Sequence, residues 1–157
     1  MKIYCIRHGD AVTGEDDASR PLSPMGREQA TALGQYLSQQ GVSLASIATS
    51  PRVRAKETAS RIAEAMGLPE QVLHFDDCLL DESASVTDFI EQASCWQDGA
   101  AFVGHMPFME QLVTTLVMGG CTGRSLVNYH PATAVCLEQI GSVGNWAIRW
   151  ALHPELL

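Results

Sequence analysis

The chain has no apolar run near the roughly 18 residues that a membrane span requires. Its opening stretch, Met-Lys-Ile-Tyr-Cys-Ile, reaches Arg7 too soon to serve as the apolar region of a secretory signal. No membrane association is expected, and a cytoplasmic address is the default. No Cys-x-x-Cys pair occurs, nor any His or Cys spacing suited to a metal, so neither metal nor cofactor is expected. The five cysteines (Cys5, Cys78, Cys95, Cys121 and Cys136) are odd in number, and Cys5 and Cys136 fall in strand-like apolar runs. They read as reduced core thiols. Basic residues are also scarce: 10 Lys and Arg stand against 18 Asp and Glu, for a net charge of −8. That balance excludes the basic footprint of a nucleic-acid binder. There is no repeat, low-complexity tract or linker. The 157 residues therefore read as a single domain, 1–157, long enough to bury about two thirds of its unfolded surface.

What is present is unevenly placed. Arg7, Arg20, Arg52 and Arg54 all sit in or beside motif-like segments. In an acidic chain such a gathering suggests an anionic ligand, although scattered solvated arginines would look the same. Lys2 to Ile6 reads as a strand that ends at Arg7-His8-Gly9-Asp10, followed by a polar loop from Thr13 to Arg20. Ser23-Pro24 has the form of an N-cap and first-turn proline, and Ala30, Leu33 and Leu37 form a helical stripe that stops before Gly41.

Leu44 to Thr49 reads as a second strand. Ser50-Pro51 repeats the cap signature ahead of Ala55, Thr58, Ala59, Ile62 and Met66 at helical spacing, with Gly67 and Pro69 as stops. Further strands are expected at Val72–Phe75, Ala100–Val103, Ala134–Ile140 and Trp146–Leu152, and helices at Val86–Cys95 and from Pro107. In the last strand Trp146, Ile148, Trp150 and Leu152 alternate onto one face.

Strands alternating with helices predict a three-layer α/β/α sandwich around a mostly parallel sheet, with the final strand pair a candidate antiparallel edge. Ligands in such sheets bind beyond the carboxyl ends of the strands. That rule gathers Arg7-His8, Ser50 to Arg54, and Gly104-His105. His8 would sit at a tight turn, with Gly9 letting the backbone approach a ligand. A neutral imidazole is a competent nucleophile toward phosphorus, though a strand-end His beside an Arg is more often structural. Arg52 and Arg54 fall in the first turn of a helix, where free N–H groups and the dipole already favour an anion. A solvated helix face explains Arg52, Lys56 and Arg61 better than it explains Arg54. His105 could place a second imidazole on the same anion or simply be a satisfied structural histidine.

Together these segments resemble the histidine phosphatase superfamily, which has the phosphoglycerate mutase-like fold. Arg7-His8-Gly9 matches its Arg-His-Gly opening. Ser50, Arg54, Ala55 and Thr58 match its Ser-x-x-x-Arg-Ala-x-x-Thr helix start, and Gly104-His105 matches its later Gly-His. Within that superfamily the chain resembles the SixA-type phosphohistidine phosphatases. This likeness rests on Arg7 to Ala11, on Arg20-Pro21-Leu22, on His105-Met106-Pro107 and on the small size. The resemblance implies a nucleophilic His8, phosphate-clamping Arg7 and Arg54, and His105 on the phosphoryl oxygens. It also implies Arg20 as an extra phosphate ligand.

The implied reaction is two in-line displacements through phospho-His8. An alkoxide leaving group needs a carboxylic general acid. The region Asp76 to Glu82 is acidic but matches no clear motif, with Asp81 or Glu82 as candidates beside the alternative of a solvated loop. An imidazole, with a conjugate-acid pKa of about 6.5, departs with less help. A phosphohistidine on a protein, such as a phosphotransfer domain, is therefore the expected substrate. A small-molecule phosphomonoesterase of the same fold and a non-catalytic phospho-binding module are the alternatives.

Overall fold

The first strand, β1 (Lys2–Arg7), buries Ile3, Tyr4, Cys5 and Ile6 in succession, as a strand covered on both faces must. The computed structural model describes residues 1–75, 84–120, 123–141 and 144–157. Five further strands follow there: β2 (Ser46–Thr49), β3 (Leu73–Phe75), β4 (Ala100–Gly104), β5 (Ala134–Gln139) and β6 (Trp146–Leu152). They form one sheet of order β3-β2-β4-β1-β5-β6. The first four in that order are mutually parallel; β5 runs antiparallel to β1, and β6 antiparallel to β5. The antiparallel pair at one edge is the arrangement the sequence allowed for.

Helices cover both faces. On one side α1 (Pro24–Gln39) and α2 (Val53–Ala65) set Leu33, Leu37, Ala55 and Ile62 against Ile6, Ile47 and Val103. On the other, α3 (Val86–Glu91) and α4 (Phe108–Met118) set Phe89, Met109 and Leu112 against Ile3, Phe102 and Leu137. The result is the expected three-layer sandwich. Among the described residues no helix is long and apolar enough to cross a membrane. Cys5 and Cys136 are buried and unbridged, as expected, whereas Cys95 is exposed; Cys78 and Cys121 lie outside the described residues.

Two local expectations fail for physical reasons. Ser23 caps α1 through its hydroxyl, which accepts from the Gly26 amide, but Ser50 does not cap α2. The helix starts after Arg52, and Ser50 is wholly buried against His105 instead. In β6, Trp146 and Ile148 pack with the α3–α4 core, while Trp150 and Leu152 pack with the α1–α2 core. A register shift opposite Cys136 and Leu137 inserts Arg149 as an extra residue, and one extra residue turns every later side chain to the other face.

Candidate active site

Sheet register assembles the floor of the site. Parallel pairing sets Arg7 opposite Gly104, so the next residues, His8 and His105, leave the sheet side by side. Their ring centroids are 4.9 Å apart. The neighbouring strand ends at Thr49, which pairs with Val103, and this brings Ser50 to the same rim. The Ser50 hydroxyl lies 2.6 Å from His105 Nε2.

The backbone and Arg54 together select one tautomer of His8. Its Nδ1–H donates to the Gly9 carbonyl at 2.7 Å, and its Nε2 accepts from Arg54 Nε at 3.2 Å. Nε2 therefore carries the lone pair, on the side where the guanidinium lies. Burial, opposed in part by the Gly9 hydrogen bond and reinforced by Arg54, Arg7 and Arg20, holds the His8 pKa down at about 4. Burial first, then His8 and the arginines, pushes that of His105 down to about 2. Both rings are neutral near pH 7. His105 is almost wholly buried, and its Nδ1 has no hydrogen-bond partner.

The guanidinium groups gather from three segments. Arg54, in the first turn of α2, is buried and spans His8 on one side and Asp17 on the other. Thr58, one turn on, donates to the Arg54 carbonyl at 2.7 Å and accepts the Gly9 amide at 3.0 Å, which ties α2 to the turn after β1. Arg7 donates to the Tyr129 carbonyl at 2.8 Å, and its Nε is buried without a partner. Burial lowers its pKa below the usual guanidinium value, with Asp10 opposing. Arg20 lies on Asp17 and on the Val12 carbonyl.

Gly9 has a packing task as well. A Cβ there would come within 2.7 Å of the Gly26 carbonyl oxygen, and a Cβ on Gly26 within 1.9 Å of that of Asp10. The two glycines let the start of α1 lie directly on the turn after β1. Close packing of the helix on this turn requires the missing side chain. Asp10 secures the same junction, accepting the Ser23 hydroxyl at 2.5 Å while its amide donates to Gln29 at 2.9 Å.

Residues 3–82 match the model of the histidine phosphatase superfamily (branch 1), slightly more than half of the chain. The chain belongs to the histidine phosphatase superfamily. Phosphohistidine phosphatase SixA of Escherichia coli is 24% identical over 98% of this chain and 94% of its own length. A SixA homolog of Haemophilus influenzae is 30% identical over 85% of each. The solved structure of the protein histidine phosphatase SixA complexed with tungstate superposes with a TM-score of 0.84 at 22% identity, covering 99% of both chains.

The structure brings His8, His105 and Arg54 together, with Arg7 at the end of β1 beside them. Arg20 is tied to Arg54 through Asp17. Arg52, which a solvated helix face would explain, contacts the Asp17 carboxylate and is mostly buried. No short motif marks Asp17; only the three-dimensional return of the loop reveals it. Asp81 and Glu82, the candidate general acids, lie outside the described residues. Among the described residues no group of His, Cys, Asp or Glu could hold a metal ion.

Proposed function

We propose that this histidine phosphatase is a phosphohistidine phosphatase, the activity for which its SixA relatives are named, and that it is a cytoplasmic enzyme acting on histidine of a protein partner. The observation that carries the reading is the locked tautomer of His8: Nδ1–H spent on Gly9, Nε2 unprotonated beside the Arg54 guanidinium. A nucleophile held neutral by burial needs no separate base to reach its reactive form.

In the first step the Nε2 lone pair forms a bond to phosphorus as the P–N bond to the substrate imidazole breaks; that ring, protonated on its other nitrogen, keeps the electron pair and leaves as neutral imidazole. Gly9 continues to hold the Nδ1 proton while the ring gains positive character. Water then attacks phosphorus, the P–Nε2 bond breaks, and inorganic phosphate leaves with His8 restored. Arg7, Arg54 and the His105 imidazole supply charge and hydrogen bonds to the equatorial oxygens, the main catalytic demand in phosphoryl transfer. Arg20 adds a further guanidinium at the rim. Asp17 accepts from guanidinium groups, the pattern of a carboxylate and not of a proton-donating acid. An imidazole departs with less protonation than an alkoxide, and it is the leaving group this reading assigns. The phosphorylated partner this reading assigns is a phosphotransfer-type domain.

The test compares hydrolysis of a phosphohistidine protein with that of simple phosphate esters. Preference for the former, with acid-labile radiolabel captured on the wild type and absent from His8→Ala, is the expected result. Ester preference would move the chain to the small-molecule phosphomonoesterases. Phosphate binding without any label transfer would make it a binding module.

A further inference from the structure

Asp17 lies in the polar loop between β1 and α1, on a single 3-10 turn, Asp17–Ser19, that is otherwise exposed. Its carboxylate is nevertheless surrounded by guanidinium groups. Oδ1 accepts from Nε of Arg20 at 2.9 Å and also contacts Nη2 of that residue. Oδ2 accepts from Arg54 Nη2 at 3.1 Å and pairs with Arg52 Nη1. The Asp17 backbone carbonyl accepts from Arg54 Nη1 at 2.6 Å. Arg54 thus offers Nε to His8 and its two terminal nitrogens to Asp17.

A planar carboxylate presents two oxygens to guanidinium forks much as a phosphoryl group presents its equatorial oxygens. Two anions on one guanidinium group repel each other, so they cannot both be held at full strength. The partners also differ in their freedom to move. The Arg54 side chain is 3% exposed and built into α2, whereas that of Asp17 is 44% exposed on a short turn. When a phosphoryl group arrives, the carboxylate is the member that can leave.

We propose that the Asp17 carboxylate is a resident counter-anion of the Arg20, Arg52 and Arg54 guanidinium groups, and that a phosphoryl group takes the cage by displacing it. Asp17 is then a specificity-determining residue. It neutralises a cation cluster that would otherwise retain free phosphate, and it discriminates against anions too weak to dislodge it. The inference rests on the reading of this cage as a phosphoryl site.

Inorganic phosphate is the probe, titrated calorimetrically into the wild type, Asp17→Asn and Asp17→Ser, with circular dichroism to confirm folding. If the displaced arrangement is populated about a tenth of the time, removing the competing charge tightens phosphate by roughly tenfold. Stronger product inhibition by phosphate during turnover should accompany it, an effect that mere loss of loop structure would not produce. Phosphate affinity unchanged or weakened in both folded variants would overturn the proposal, because Asp17 would then only hold the arginines in place. Failure of the underlying reading looks different: phosphate affinity would also be indifferent to Arg54→Ala.

Discussion

The floor of the site and the loop that borders it are stabilised in opposite ways. On the floor, His8, His105, Ser50 and Thr58 are fixed by strand register, backbone carbonyls and one another, and most of them are sealed from water. In the loop, Asp16 caps its own turn, and Asp17 and Arg20 are held mainly by charges that a substrate would also seek. Preorganisation belongs to the floor, and exchange of partners to the loop. A cage that must take up and release an anion needs both.

The largest test of this contrast is His8→Ala. It should abolish turnover by several orders of magnitude, measured as kcat on a phosphohistidine substrate, while phosphate binding by the arginines largely survives. Next comes Arg54→Ala, which removes a donor from the developing phosphoryl charge. A loss of about 2–4 kcal/mol in transition-state stabilisation is expected, read from kcat/KM. Normal activity would move the clamp to Arg52.

Gly26→Ala attacks the floor without touching chemistry. Its Cβ would collide with the Asp10 backbone, so unfolding by denaturant should show about 1–3 kcal/mol of lost stability. Arg20→Ala, in the loop, should raise KM by roughly tenfold with little change in the melting temperature, in keeping with one exposed charge-assisted contact. An effect on Arg20→Ala larger than on Arg54→Ala would erase the distinction between the two regions.

Acid gives the smallest and most graded test. His8 and His105 have native pKa values of about 4 and about 2, below the ordinary 6.5. Between those values and 6.5 the unfolded chain binds protons that the native state refuses, so stability is full above about 6.5 and declines as pH falls through that window. The melting temperature should drop between pH 7 and pH 5. The drop should shrink in His105→Asn and with saturating phosphate, whose charge favours protonated imidazole. A flat profile in the wild type would mean that the floor is wetter than its burial implies.

Much of the fold could be read in the chain because hydrophobic periodicity and caps are local. Ser23-Pro24 opens α1 as expected, and every expected strand is present with no end displaced by more than two residues. The same local logic failed at Ser50-Pro51, where a cap signature is overruled by a buried partner 55 positions away. It failed in β6, where Trp146 and Trp150 share a period but not a face, because a bulge cannot be seen in alternation alone. Among candidate site residues, strand-end position singled out His8 and His105, while Arg52 looked solvated because nothing in a helix stripe reveals a loop folding back onto it.

The amino-acid order by itself determined which elements form and which chemical groups end each strand, because backbone propensity and side-chain periodicity act over a few residues. Only the tertiary structure decided which nitrogen of His8 bears the proton, that Gly9 serves helix packing, and that Asp17 occupies the arginine cluster. Those outcomes depend on contacts between groups far apart in the chain, whose distances and desolvation exist only once the sheet has closed.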